Sequence, residues 1–436
     1  MKAKMRLLTI LCLMLFGKHS FAQLYFPPNG SNAWDSISPV TLGWCPSKID
    51  SLYDLLESEN TKAFILLKDG KMVLEKYFNG HTPQSSWYWA SAGKGLTALM
   101  VGIAQEEGFL NINDTVSNYL GYGWTSCSAL NEERISIKHQ LSMSSGLNDA
   151  VADPFCISDS CLQCIALPGT RWAYHNAPYT LLDGVLENAT GRNLNVYVAQ
   201  KLKTPTGMDG LFVPQGFNQV FVSSARSMAR FGLLILNRGF WNNQAVLSDS
   251  VYFNQMVNTS QSLNEAYGYL WWLNGKNSFR LPETQFLFNG SLMPNAPADM
   301  VSAMGKNGQF INVVPSQNLV WIRMGDSPDN ALVPFAFNNQ IWSYINALNC
   351  NGVGSLENQI NREWSIYPNP VNQRLFISTP NKNIIGTYEI INAMGICVVQ
   401  GDFSEFIDVT HLISGVYWLK IVTENQVGFQ KFIKNE

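Results

Sequence analysis

Ser91 and Lys94 form the one Ser-x-x-Lys of the chain, in the stretch Trp87-Tyr88-Trp89-Ala90-Ser91-Ala92-Gly93-Lys94. The residues after Lys94 are helical in pattern: Leu96, Leu99, Met100, Ile103 and Ala104 recur at i, i+3, i+4, i+7 and i+8, the apolar stripe of a buried helix. The two polar residues therefore stand one turn apart at the helix start, on a shared face. A serine hydroxyl attacks a carbonyl only when a neighbour takes its proton. An amine can do so once burial or a nearby cation has lowered its pKa. Free backbone N–H groups at a helix start favour the oxyanion that such an attack generates. The bland alternative is a serine cap followed by a solvated first-turn lysine, and an isolated Ser-x-x-Lys would not displace it.

Partners are therefore sought downstream. Tyr174-His175-Asn176 offers a phenol and an amide two residues apart. The Tyr-x-Asn pattern recurs at Tyr77, Tyr252, Tyr344 and Tyr367, where ordinary strand, helix or turn roles account for it. Tyr174 differs by context. It follows Pro168-Gly169-Thr170, precedes a helical pattern over 178–186, and lies between Ser91 and the triplet Lys306-Asn307-Gly308. That triplet falls in the run 305–314, which reads as a strand.

The surrounding elements must hold these groups together. Helical spacing over 49–56 precedes two apolar runs, 63–67 and 72–77, joined by Lys68-Asp69-Gly70-Lys71. Asp-Gly is a tight-turn signal, so these runs form a hairpin ahead of the Ser91 helix. From about 110 to 240 the pattern is mainly helical, and strand texture returns past 265. One strand is expected over 267–272, a hairpin pair over 305–314 and 319–324, and a closing helix over 335–348. This order predicts an α+β domain: one antiparallel sheet flanked by helices, with an all-helical insertion. Residues 351–364 form a Gly/Asn/Ser/Glu-rich linker, and the alternating runs beyond it predict a small all-β sandwich.

Composition narrows the classes. With 46% hydrophobic and 14% charged residues the chain is globular, and a net charge of −3 without a basic stripe argues against nucleic acid as a partner. Lys2, Lys4 and Arg6 precede an apolar run over 7–16 that ends in Ser20-Phe21-Ala22. This reads as a secretory signal peptide over 1–22. The run is too short to span a bilayer, so no transmembrane segment is expected after signal removal. Export permits disulfides. Cys45, Cys127, Cys156, Cys161, Cys164, Cys350 and Cys397 remain, an odd count that leaves at least one thiol unpaired within the chain. Cys161-x-x-Cys164 has the spacing of half a zinc site, but a second ligand pair is not evident, so bridges among Cys127, Cys156, Cys161 and Cys164 are expected. Cys45 and Cys350 bracket the first domain and are candidates to staple it.

The order Ser91-x-x-Lys94, Tyr174-x-Asn176, Lys306-Asn307-Gly308 resembles the serine β-lactamase and penicillin-binding-protein superfamily, in its class C-like branch. Segments 110–120 and 137–147 resemble the family's stretches after the nucleophile helix. The resemblance implies a metal-free, cofactor-free acyl transfer. Ser91 is the nucleophile, and Lys94 and Tyr174 share the base role, with the lysine favouring a phenolate. Asn176 holds the lysine or a substrate amide, and Lys306 supplies positive potential. The N–H groups of Ser91 and Gln309 form the oxyanion hole. Asn307 stands where these enzymes usually have threonine, which weakens any expectation of β-lactam or D-Ala-D-Ala specificity. The function implied is a secreted serine hydrolase cleaving an ester or amide of a small-molecule or peptide-like substrate. The alternatives are a β-lactamase or D-Ala-D-Ala-type peptidase, or a penicillin-binding sensor without turnover.

Tyr367-Pro368-Asn369-Pro370, Ile391-Asn392-Ala393-Met394-Gly395 and Gly415-Val416-Tyr417 resemble the type IX secretion C-terminal sorting domain. That implies the type IX machinery as a partner and a secreted or surface-attached protein. An accessory sandwich binding carbohydrate is the alternative. The domain reading is signal peptide 1–22, lead-in 23–44, hydrolase domain 45–350, linker 351–364 and sorting domain 365–436.

Overall fold

The computed structural model describes residues 24–328, 331–350, 365–378, 386–392, 397–423 and 427–435. The expected leader and linker lie outside these residues. The chain forms two compact units that divide between Asn346 and Ala347.

In the first unit, helix α1 (Pro46–Ser58) leads into β1 (Thr61–Lys68) and β2 (Lys71–Tyr77). Asp69 and Gly70 both take positive φ, 52° and 80°, the geometry of the tight turn their types predict. A short β3 (Ser86–Tyr88) precedes α2 (Lys94–Glu106), the helix that follows Ser91, and α3 (Asn176–Thr190) lies in the helical block. Beyond them come β4 (Leu211–Gln215), β5 (Asn218–Ser224), α4 (Ala225–Leu236), β6 (Trp272–Leu273), β7 (Val301–Gly305), β8 (Gln309–Val314), β9 (Leu319–Gly325) and α5 (Phe335–Asn346). Six of the strands form an antiparallel sheet in the order β2-β1-β9-β8-β7-β6.

Both faces of this sheet are covered, which explains why β8 and β9 are buried at every position. Gly232 of α4 lets that helix approach Val320 and Ile311 on one face. On the other, α5 packs Trp342 against Trp321 and Phe337 against Phe310. The alternation of neighbours along each strand puts these sets on opposite faces.

The structure departs from the expected strands in three places. The run 305–314 is not one strand: β7 ends at Gly305, β8 starts at Gln309, and Lys306-Asn307-Gly308 is the turn between them, with φ of 63° at Asn307 and 74° at Gly308. Asn-Gly adopts left-handed backbone at little cost, and here that preference overrides continuation of the strand. The strand expected over 267–272 shrinks to Trp272–Leu273, because Leu270 takes φ 61°. The helical block also carries β4 and β5, which pair with β3 into a small sheet beside the nucleophile turn.

The loop-rich part of the block is crosslinked by Cys127–Cys164 and Cys156–Cys161, which accounts for the Cys161-x-x-Cys164 spacing without metal. Among the described residues, the C-terminal unit forms a three-stranded and a four-stranded antiparallel sheet. Leu375 and Ile377 point inward while Arg374, Phe376 and Ser378 stay exposed, the period-two pattern of a sandwich strand. Cys397 in this unit is an exposed free thiol. Among the described residues no helix is long and apolar enough to cross a membrane.

Candidate active site

Trp89 anchors the turn that carries Ser91. Its side chain is fully buried, its backbone N–H donates to Phe221 O (2.8 Å), and its indole N–H donates to Ser223 Oγ (2.8 Å). Ala90 then takes φ 46°, a conformation that non-glycine residues adopt only when their surroundings impose it. One 3-10 turn, Ala90–Gly93, carries Ser91 and merges into α2. Gly95 is needed one step later, since a Cβ there would come within 2.9 Å of the Trp271 ring.

Lys94 is buried at the first position of α2. Its Nζ lies 3.0 Å from Ser91 Oγ and donates to Asn176 Oδ1 at 2.8 Å. The amine sits over two rings, 4.1 Å from the Tyr179 centroid and 5.2 Å from that of Tyr174. Asn176, Tyr179 and Asp183 recur along one side of α3 at spacings of three and four, so one helix face forms the back of the site. Burial pushes the Lys94 pKa down to about 7, opposed by the Asp183 carboxyl. Asp183 is itself buried, which raises its pKa well above the usual carboxylate range, and its oxygens have no hydrogen-bond partner among the described residues.

Tyr174 is buried and stacks on Trp272 at 5.5 Å between centroids. Burial raises its phenol pKa, and the nearby Ser91 hydroxyl only partly opposes this. That is the wrong direction for the expected phenolate. Of the two groups, Lys94 gives up its proton the more readily, since burial lowers its pKa and raises that of the phenol. Tyr174→Phe keeps the ring packing and removes only the hydroxyl. It is expected to slow acylation roughly 10²- to 10³-fold with the melting temperature nearly unchanged, read by stopped-flow with a chromogenic ester. Unaltered acylation would remove Tyr174 from the proton path.

A cavity of about 470 Å³ gathers Ser91, Lys94, Tyr174, Asn176, Lys306 and Asn307, with Phe155, Phe217, Val220 and Leu332 as apolar walls. Gly308 and Gln309 do not line it. Gln309 is fully buried; its side chain donates to Gly325 O (2.6 Å) and accepts from Gly325 N–H (3.0 Å). The backbone that meets the Ser91 turn belongs to Gly305. A Cβ there would lie 2.8 Å from Ser91 N and Ala92 N and 2.7 Å from Trp89 O. The lone glycine just ahead of the triplet was the sequence signal for it. Tyr88 was also missed as a site residue: its hydroxyl accepts from Asn307 Nδ2 at 2.6 Å and its ring lines the cavity. His175 is buried outside the cavity lining, and burial pushes its pKa down to about 4, so it is a neutral packing residue. Trp89, Trp271 and Trp272 are buried in the core and do not line the cavity.

An antiparallel sheet whose edge region abuts a Ser-x-x-Lys helix, with Tyr-x-Asn supplied from an inserted helical block, is the architecture of the β-lactamase and penicillin-binding-protein class. The chain belongs to the Beta-lactamase family, which it matches over residues 59–332. Residues 365–435 match the secretion system C-terminal sorting domain, which implies export to the outside or the cell surface. The protein flp of Staphylococcus aureus strain MW2 is 27% identical over 184 residues, 37% of this chain and 37% of that protein. The matched stretch spans 39% and 33% of the length of two further curated relatives. Among solved structures, a penicillin-binding protein homolog from Caulobacter crescentus aligns with TM-score 0.53 and 13% identity, covering 70% of this chain and 98% of that one. A family VIII carboxylesterase aligns with TM-score 0.51 and 15% identity, again over 70% and 98%. At these identities the likeness shows the fold.

Proposed function

We propose that the first unit is a secreted serine hydrolase that cleaves an ester or amide through an acyl group on Ser91. The observation that carries this reading is the buried Lys94 amine, its pKa lowered to about 7, 3.0 Å from the Ser91 hydroxyl. In the proposed reaction the Ser91 proton passes to Lys94 Nζ as Oγ bonds to the substrate carbonyl carbon. The carbonyl π electrons move to oxygen, and the oxyanion is held by two backbone N–H groups. Ser91 supplies one. Lys306, which follows Gly305 into the cavity, supplies the second in place of Gln309. Collapse breaks the bond to the leaving group, which takes a proton from Tyr174, and Tyr174 recovers it from Lys94. Water then repeats the sequence on the acyl group.

Esters and simple amides are favoured over β-lactams because Asn307 stands in the place of the usual threonine hydroxyl and has one of its two side-chain N–H groups held by Tyr88. The carboxylesterase of the same fold is consistent with that choice. Reaction needs neutral Lys94. Below about pH 7 the rate is therefore expected to rise about tenfold per pH unit, and to level above it. Turnover of p-nitrophenyl acetate and butyrate, compared with nitrocefin, tests the substrate class. Hydrolysis of nitrocefin alone would overturn the ester assignment, and a single equivalent of acylation without turnover would favour the sensor.

The export pathway is proposed with it. A signal peptide over 1–22 is removed, and domains 45–350 and 365–436 are joined by the 351–364 linker. The tail engages the type IX machinery, supported by its family match. The mass of the exported protein tests this; an uncleaved leader would contradict it.

A further inference from the structure

Arg323 lies in the middle of the sheet on β9, with no solvent exposure. All its hydrogen bonds among the described residues go to neutral oxygens. Nη1 donates to Asn307 O and Gly308 O (2.8 Å each), Nη2 to Glu59 O (2.5 Å) and Asp326 O (3.2 Å), and Nε to Thr61 Oγ1 (2.8 Å). Its plane lies 4.9 Å from the Phe337 ring centroid. Burial lowers the Arg323 pKa, and the Glu59 and Asp326 carboxylates offset this only by charge, without a hydrogen bond to the guanidinium; an aliphatic residue would fill the same strand position without that desolvation cost. The backbone is shaped around it: a Cβ at Gly308 or Gly325 would come within 2.4 or 2.6 Å of its nitrogens.

Two of these bonds end on the turn that separates β7 from β8. That turn brings Gly305 against Ser91 and presents Lys306 and Asn307 to the cavity. We infer that Arg323 is a positioning residue: its fork holds the carbonyls of Asn307 and Gly308, and thereby sets the third-motif turn against the nucleophile. The inference rests on the hydrolase reading above. A lysine cannot replace this residue, because a single ammonium lacks the planar fork that reaches two carbonyls of the turn and two beyond it. Displacing such a turn by a fraction of an ångström loses transition-state contacts more than ground-state ones.

The test uses full-length protein carrying Arg323→Lys or Thr61→Val, the second freeing only the Nε end. Sites are counted by fluorophosphonate titration, and p-nitrophenyl acetate turnover is expressed per titrated site. For Arg323→Lys, kcat per site is expected to fall roughly 30- to 100-fold with KM little changed, and the acidic limb near pH 7 to stay in place because Lys94 is untouched. Thr61→Val is expected to lose about 3- to 10-fold in the same parameter. A merely structural role would lower the number of titratable sites and leave each site at full rate. Per-site kcat within about twofold of the unmodified protein overturns the inference. If Arg323→Lys does not fold, Thr61→Val decides by the same criterion. An unmodified chain that neither labels nor turns over would instead overturn the hydrolase reading together with this one.

Discussion

Lys94→Ala is expected to lower kcat/KM for p-nitrophenyl acetate by roughly 10³- to 10⁴-fold, and Lys94→Arg by as much. The alanine removes the base. The arginine keeps a cation in place but cannot give up its proton at any working pH, so it separates proton transfer from charge. Position and burial act together on the amine. Nζ is 3.0 Å from Ser91 Oγ, held by Asn176 Oδ1, and desolvated until its pKa falls to about 7. Tyr174 cannot substitute, because burial moves its phenol the other way. The same shift makes stability depend on pH. The unfolded lysine holds its proton to about pH 10.4, whereas the folded one releases it near 7. Between these values the unfolded chain binds the extra proton, so stability should rise with pH across that window. In Lys94→Ala that slope should flatten, read by denaturant unfolding at several pH values. An arginine variant with near-normal kcat/KM would show that Lys94 acts by charge and not as the base.

Gly305→Ala is expected to lower kcat roughly 10²-fold in a protein that still folds, with a stability loss of about 1–3 kcal/mol. Gly305 takes φ −132°, so the backbone would accept a side chain and the conflict is one of space. The added methyl would meet Trp89 O, Ser91 N and Ala92 N at 2.7–2.8 Å. All three are backbone atoms, which cannot rotate aside, so either the strand end or the nucleophile turn must retreat. Gly184→Ala in α3 is the control. Its Cβ would meet only the end of Leu120, at 3.3 Å, and alanine suits a helix interior, so activity should be unchanged. Equal activity in both variants would mean that Gly305 is not part of the oxyanion geometry.

Local chemistry made much of this legible in the sequence. The Asp69-Gly70 turn, the apolar stripe after Ser91 and the alternation in the tail each depend on near neighbours, and each appears in the structure where its pattern lies. Tyr174 could be told from four other Tyr-x-Asn tyrosines only by its order in the chain, yet it alone lines the cavity. The third motif misled in an instructive way. Lys306-Asn307-Gly308 has the form of a strand triplet, but Asn-Gly prefers the left-handed turn it adopts. The backbone found against Ser91 is that of Gly305, a residue the triplet itself does not include. Val301–Gly305 was missed as a strand because its burial comes from both faces and leaves no alternation to read. Arg323 carries no local signal at all: its partners at Thr61 and Glu59 are 262 and 264 residues away, joined only once the sheet has formed.

The central claim is an activated Ser91, and its most direct measurement is intact mass after incubation with a fluorophosphonate, in the unmodified protein and in folded Ser91→Ala. Attack by Oγ on phosphorus with loss of fluoride should add one phosphonyl group per chain to the unmodified protein and none to the variant. No adduct on folded unmodified protein, or an adduct that persists in Ser91→Ala, would contradict the account.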